Sequence, residues 1–126
     1  MAKKNKHPEM RTPLFNCARI VLLRDREQAA KYIKKLTGEE FDFSGYDGFE
    51  MERAAKNRRT IMLGVFNDSA ATLAHEAGHV AFEICSIVGI PTPNDHTNET
   101  FCYLVQRIME KFLPMIKAKR GRWTTS

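Results

Sequence analysis

The spacing of hydrophobic and polar positions changes period several times along the first half of the chain. Residues 15–23 are rich in apolar and β-branched side chains, which predicts a strand with a central position in a sheet. Apolar residues at helical spacing follow between Asp25 and Gly38. They predict a short amphipathic helix with Asp25 as N-cap and Gly38 as C-cap.

The second half predicts a hairpin followed by two helices. After an aromatic, glycine-containing loop, two strand-like runs at 49–55 and 60–66 flank a polar turn. A long helix is predicted over 70–88, with polar caps before it and Gly89 after it. A last amphipathic helix is predicted over 98–113, where Pro114 is expected to stop it.

This order of elements, β-α-β-β-α-α, predicts one α+β domain over residues 13–114. A chain of 126 residues has the size of a single modest domain. Residues 1–12 are polar, basic and without period, so we expect a disordered lead-in. Residues 115–126 are expected to form a basic C-terminal tail.

Charge and cysteine content narrow the classes of function. The net charge is +5, but the basic residues cluster at the two ends and leave the middle acidic. Basic tails favour weak contact with polyanions rather than a specific nucleic-acid-binding face. The chain has three cysteines, an odd number, and no Cys-x-x-Cys spacing. This argues against a framework of disulfides and for a reducing compartment. No signal peptide or apolar span of ~20 residues is recognisable, so we expect a cytoplasmic protein that does not enter a membrane.

The predicted long helix carries the candidate chemistry, His75-Glu76-Ala77-Gly78-His79. Helical residues four apart share a face, about 6 Å apart along the axis, so both imidazoles are expected to reach one zinc ion. Zinc lowers the pKa of its bound water to roughly 7, and Glu76 is placed to act as general base without being a ligand. Gly78 suggests close approach by another backbone or by substrate.

A third ligand is expected from the start of the last helix. Glu99 is the leading candidate, although a glutamate in a first turn is also favoured by the helix dipole alone. Asp95 and His96 in the preceding loop are the next candidates. Cys102 is also a neighbour, but we expect it to be a core residue, like Cys17 and Cys85.

The H-E-x-x-H…E arrangement resembles the thermolysin-like gluzincins, and the Asn98-Glu99 pair resembles the start of that family's second helix. Residues 60–113 also resemble small metallopeptidases encoded by bacteriophages, and more weakly the ImmA/IrrE type of regulatory metalloprotease. The residues that match the phage pattern are Thr72, Leu73, His75, Glu76, His79, Gly89, Glu99, Tyr103 and Leu104.

The resemblance implies a minimal zincin-like fold: a small twisted sheet, an active-site helix and a following glutamate helix. It implies Zn²⁺ as cofactor, a peptide or protein substrate, and a bacterial or phage-infected host cell. The strand at 60–66 is then expected to be the edge that lines the substrate cleft. The chain lacks the thermolysin domain that carries the transition-state-stabilising histidine, and Tyr46, His96 and Tyr103 are candidate replacements.

A second class of function fits the same residues. Histidines four apart on a helix are also found as ordinary solvated side chains. A metal bound by His75, His79 and Glu99 is also compatible with a non-catalytic, metal-stabilised binding module. Its basic tails would then contact a protein or nucleic-acid partner. Glu76 favours the enzyme, because a purely structural metal site has no use for a general base.

Overall fold

The computed structural model describes residues 7–91 and 93–120, with side chains as far as residue 116. Within these residues the chain forms a small α+β fold, as predicted, with a four-stranded mixed sheet and three helices. The strands are β1 (Glu9–Arg11), β2 (Arg19–Leu23), β3 (Gly48–Ala55) and β4 (Arg58–Val65). The helices are α1 (Arg26–Thr37), α2 (Ala70–Val88) and α3 (Asn98–Arg120).

The sheet has the order β1-β2-β4-β3. β2 and β4 are parallel neighbours in the middle, and β1 and β3 are antiparallel edges. β2 is therefore central, as predicted. The expectation that the strand at 60–66 forms the edge is wrong, because β4 pairs on one side with β2 and on the other with β3. The edge strand on this side of the sheet is β3.

Alternation along the central strands produces two apolar cores, one on each face of the sheet. Ile20 and Leu22 of β2 pack with the core formed by α2 and α3. Val21 and Leu23 point to the other face, where α1 packs. Such alternation is the period of two of a strand, and coverage of both faces explains why the four residues from Ile20 to Leu23 are all apolar. The result is a three-layer arrangement with the sheet in the middle.

Local sequence chemistry sets the ends of the helices and the hairpin turn. The Asp25 carboxylate accepts a hydrogen bond from the Gln28 backbone N–H at 3.0 Å and caps α1. The Ser69 side chain accepts hydrogen bonds from two backbone N–H groups at the start of α2. Lys56 and Asn57 both have positive φ values, 55° and 62°, and connect β3 to β4 as a two-residue turn. This is the turn geometry that matches the twist of a hairpin.

Secondary structure extends beyond both predicted bounds of the domain. β1 lies inside the segment expected to be disordered, and it pairs with β2 from Glu9↔Val21 to Arg11↔Arg19. A strand of three residues is too short to show a period, so the sequence does not reveal it. Residues 1–6 lie outside the described part of the chain.

The predicted stop at Pro114 is also wrong, since α3 continues to Arg120 with this proline inside it. Proline in a helix interior costs ~3 kcal/mol. Packing beyond it offsets that cost: Ile116 is fully buried in the core, and the Arg24 side chain donates to the Met115 carbonyl at 3.1 Å. The helix that follows the candidate site is therefore longer than predicted and anchored at its far end.

Cysteine burial follows the prediction at two positions and not at the third. Cys85 is buried, and Cys17 is partly buried against the same core. Cys102 is exposed, so the expectation of a core residue is wrong there. Over residues 7–91 and 93–120, no helix is long and apolar enough to cross a membrane.

Candidate active site

His75 and His79 project from one side of α2, as the four-residue spacing predicts. Their ring centroids are 4.9 Å apart, with the rings at 74° to each other. Both side chains are exposed, because the opposite side of α2 carries the apolar residues that enter the core. The local fold thus leaves two imidazoles side by side at the protein surface.

Glu76 lies between the two histidines in sequence but is turned toward the sheet. Only 8% of this residue is exposed, and together with His75 it lines an open pocket of about 570 Å³. Burial raises the pKa of Glu76, and the neighbouring charges of His75 and His79 oppose that rise. Within residues 7–91 and 93–120, its carboxylate has no hydrogen-bond partner.

The facing wall of the pocket is the segment Gly45–Gly48, which leads into β3. Arg26 at the start of α1 fixes this wall by donating from Nε and Nη2 to the Tyr46 carbonyl, at 2.9 and 2.7 Å. The Asp47 carbonyl accepts from the Phe66 backbone N–H at 2.8 Å, which extends the β3–β4 pairing by one step. The pocket is therefore built from α2 on one side and the beginning of an edge strand on the other.

Gly48 brings β3 and α2 into close contact at the base of the pocket. A Cβ atom at this position would lie 2.7 Å from the Gly64 carbonyl oxygen and 2.8 Å from Thr72 Cγ2. It would also lie 3.1 Å from Glu76 Cγ. Only glycine fits without displacing a neighbour, so this residue sets the distance between the edge strand and the carboxylate of Glu76.

Further along the same strand, Glu50 faces α2 and meets Glu83. Burial, the charge of Glu83 and a hydrogen bond with it raise the pKa of Glu50 to about 8, and Glu76 and Glu52 add to the effect. Oε2 of Glu50 is buried and finds no hydrogen-bond partner among the described residues. The junction of β3 and α2 therefore holds several carboxyl groups at close quarters.

The predicted third ligand is not assembled with the histidines in the described part of the chain. No group of three or more His, Cys, Asp or Glu side chains there is placed to hold a metal ion. Glu99 is exposed in the first turn of α3. It precedes Phe101 by two residues, about 200° around a helix, and Phe101 is the residue that packs on Phe82 of α2, with ring centroids 4.7 Å apart.

The other candidate ligands share the exposed position of Glu99. Asp95 and His96 lie in the turn before α3, where the Asn94 side chain accepts from the His96 backbone N–H at 2.7 Å. Cys102 is exposed as well. The start of α3 approaches α2 near Phe82, one turn past His79, but none of these residues joins the histidine pair.

Of the three candidate transition-state stabilisers, the structure brings only Tyr46 to the pocket. Its ring packs edge-on against Phe43 at 5.5 Å, and about half of the residue is exposed. Tyr103 is exposed on α3, and His96 lies in the loop before that helix. Neither of them lines the pocket.

Sequence reasoning missed the carboxylate of Glu50. The signal was present in the alternation of β3, where Phe49 and Met51 enter the α1-side core and the residues between them must face α2. The pattern was interpreted only as one strand of a hairpin, so the face of β3 toward α1 and the face toward α2 were not distinguished. Asp47 and Gly48 were missed because their place depends on the packing of a loop end against α2.

Comparison of the chain with known protein families, curated proteins and solved structures gives no match. The site must therefore be interpreted from its own residues.

Proposed function

We propose that this protein is a zinc-dependent hydrolase of the zincin type that cleaves peptide bonds. The observation that carries the proposal is the shared placement of three side chains. His75 and His79 lie side by side on the exposed face of α2, and Glu76 is buried at the adjoining pocket. The edge strand β3 borders the same pocket, as an extended substrate would require.

The donor chemistry fits zinc at the histidine pair. Two neutral imidazoles one helical turn apart are common zinc ligands, and both rings are open to solvent. A third protein ligand is needed for a catalytic site with one open position. Glu99 stays the sequence-based prediction for it, and because its side chain is exposed and not grouped with the histidines, it would have to turn toward them to bind the same ion.

Each residue then has a defined role. Bound zinc would supply an acidified water and polarise the scissile carbonyl. The Glu76 carboxylate accepts the proton of the attacking water and passes it to the leaving amine. A raised pKa suits both transfers, since a base works best when its pKa lies near the working pH. Tyr46 is the candidate for donating a hydrogen bond to the oxyanion, because among the three candidate residues it is the one that lines the pocket.

The test compares metal content and hydrolysis in matched variants. Wild type should co-purify with about one equivalent of zinc, and His79→Ala should lose it, whereas His7→Ala should not. Glu76→Gln keeps the shape of the side chain but not its basicity. It should retain zinc and lose roughly 10²–10⁴-fold in hydrolysis of a peptide library, while Glu110→Gln on α3 should match wild type.

Different outcomes contradict different parts of the proposal. A native protein without metal, whose thermal stability does not respond to zinc, would end it. Loss of zinc in Glu99→Ala supports the glutamate ligand, and unchanged zinc in that variant would reject it. If wild type and Glu76→Gln both hold zinc and neither cleaves any peptide, the metal-stabilised binding module becomes the better account.

A further inference from the structure

We infer that the protein binds single-stranded nucleic acid through two basic segments, residues 1–6 and 117–123, which join the described fold at the same end of the sheet. Binding of this kind goes beyond the proposed hydrolysis and is independent of it. It uses the phosphates and bases of the ligand, and none of the residues assigned to the metal or to the pocket.

The positive charge of the protein belongs to these two basic segments. They contain seven basic residues and no acid: Lys3, Lys4, Lys6, Lys117, Lys119, Arg120 and Arg122. All 15 aspartates and glutamates lie between residues 9 and 116, where they slightly outnumber the lysines and arginines. Clustered Lys and Arg side chains are the electrostatic footprint of proteins that bind nucleic-acid phosphates.

The first basic segment joins the fold beside the carboxyl end of β2. β1 runs antiparallel to β2, with Glu9 opposite Val21. The Leu22 backbone N–H donates to the Pro8 carbonyl at 2.9 Å, which extends this pairing by one step. The chain before Pro8 therefore starts next to the last residues of β2.

The second basic segment joins the fold at the same place. Arg24 directly follows β2, and its Nη1 donates to the Met115 carbonyl at 3.1 Å. Ile116 is fully buried in the core, and α3 continues beyond it to Arg120. Since Leu22 and Arg24 are about 7 Å apart along the chain, two segments that are far apart in sequence leave the fold as neighbours. One short strand of nucleic acid can therefore contact both.

The acids that directly follow the two junctions on β1 and β2 are already engaged within the fold. Nη1 of Arg19 lies 3.5 Å from the Glu9 carboxylate. The Asp25 carboxylate accepts from the Gln28 backbone N–H at 3.0 Å. The repulsion among cations gathered at this end of the molecule is relieved by a polyanionic ligand.

The composition of the second basic segment favours nucleic acid over a membrane surface. Trp123, the one tryptophan of the sequence, directly follows Arg122. Aromatic side chains stack on the bases of single strands while neighbouring cations contact the phosphates. A segment that binds a membrane instead needs an apolar face, and residues 117–126 contain only Ala118 and Trp123 as apolar residues.

Trp123 supplies the measurement. Its fluorescence is titrated with an oligothymidylate of about 12 nucleotides, a length within the range of single-stranded binding sites. Wild type should show quenching, a stoichiometry of one oligonucleotide per protein, and an affinity that falls steeply with salt. A duplex of the same length should quench less, because its bases are already stacked on each other. Anisotropy of a labelled oligonucleotide measures the same binding without Trp123.

Neutralising the first basic segment tests whether the two segments act as one site. A variant that combines Lys3→Gln, Lys4→Gln and Lys6→Gln should bind about tenfold more weakly, although Trp123 is far from these lysines in sequence. The slope of log affinity against log salt should become shallower by about two, the share of three cations on a single strand.

The matched control removes the same charge at the opposite end of the sheet. Lys35→Gln, Lys56→Gln and Arg58→Gln are combined there, where Lys56 Nζ donates to the Lys35 carbonyl at 3.0 Å beside the hairpin turn. This variant should bind like wild type, and thermal unfolding verifies that both variants are folded. Equal losses in the two variants would show that net charge alone matters, and would overturn the inference.

The remaining outcomes also decide the question. Two oligonucleotides per protein would show that the basic segments bind separately, and would reject the shared site. Tighter binding to vesicles that contain phosphatidylserine than to the oligonucleotide would make a membrane surface the partner. Neither quenching nor a change in anisotropy at low salt would reject nucleic acid as the ligand.

Discussion

At the scale of single residues, the carboxyl groups of Glu50 on β3 and Glu76 on α2 have different electrostatic surroundings. Glu76 is buried but has the positive charge of two histidines beside it when these are protonated, which opposes the effect of burial on its pKa. Burial raises the pKa of Glu50, and the charges of Glu83, Glu76 and Glu52 raise it further. A glutamate carboxyl group is therefore suited to accept protons at position 76 and to keep its proton at position 50.

The raised pKa of Glu50 predicts how the free energy of unfolding depends on pH. The pKa of Glu50 rises from 4.5 to about 8 on folding, and Glu83 and Glu76 of α2 and Glu52 of β3 face it. Between these values the folded chain holds a proton that the unfolded chain releases. Its contribution to stability is therefore fully present below about pH 4.5 and is lost as the pH rises through about 8.

Glu50→Gln, which cannot titrate, should flatten this part of the pH profile. Melting temperatures over the same pH window should fall less in the variant than in wild type. Glu40→Gln is the control, because Lys34 of α1 lowers the pKa of Glu40 from 4.5. Glu40 therefore titrates below this pH window, and its removal should leave this part of the profile unchanged. Parallel profiles for wild type and Glu50→Gln would mean that Glu50 is ionised in the folded protein.

The sequence predicted those residues of the site whose position depends on one helix alone. His75 and His79 share a face because of the helical repeat, and this needs no knowledge of the rest of the fold. Glu99 differs, because its direction depends on how α3 is rotated against α2. That rotation is set by Phe101, Leu104 and Ile108, which enter the core, and a sequence read one helix at a time does not reveal it.

At the scale of elements, β3 and α2 are held together at Gly48, while Gly78 of α2 has open space around it. Gly78 lies between the histidines, and a Cβ atom there would meet nothing within 4 Å. The expectation that another backbone approaches at Gly78 is therefore wrong for the described residues. Close approach by a substrate stays a prediction.

The two glycines should respond to alanine in opposite directions. Gly48→Ala forces Cβ against the Gly64 carbonyl oxygen, which cannot move without breaking the β3–β4 pairing, so we expect a loss of about 1–3 kcal/mol. Gly78→Ala should stabilise the protein by about 1 kcal/mol through helix propensity. Urea unfolding measures both free energies. Wild-type stability in Gly48→Ala would show that β3 and α2 are further apart than described.

Boundaries of elements were predictable where the chain carries strong local signals. α2 has the predicted bounds because Ser69 caps its start and Gly89 takes up the left-handed conformation, φ 80°, at its end. The hairpin turn was predicted for the same kind of reason. The edge position of β3 was not predicted. It follows from the parallel pairing of β2 with β4, and that pairing joins residues far apart in sequence.

At the scale of the whole molecule, the candidate site lies where the three layers meet at one edge of the sheet. The loop that forms the pocket wall is bonded to α1 through Arg26, its aromatic residues pack in the α1-side core, and α2 belongs to the opposite core. The geometry of the pocket therefore depends on both cores. α3 supports this arrangement through core residues on both sides of Pro114, from Leu104 to Ile116.

The last prediction concerns that far end of α3. Residues 115–126 were expected to be a tail, yet Ile116 is fully buried with the residues of α2 and β4 that underlie the site. Ile116→Ala removes most of a buried side chain and leaves a cavity, so it should lower the free energy of unfolding by about 2–5 kcal/mol. Lys111→Ala, at an exposed position on the same helix, should change it little. Urea unfolding of both variants measures whether the part of α3 beyond Pro114 contributes to the free energy of unfolding. If Ile116→Ala unfolds at the wild-type urea concentration, the core ends before Pro114 and α3 contributes only its first turns to the support of α2.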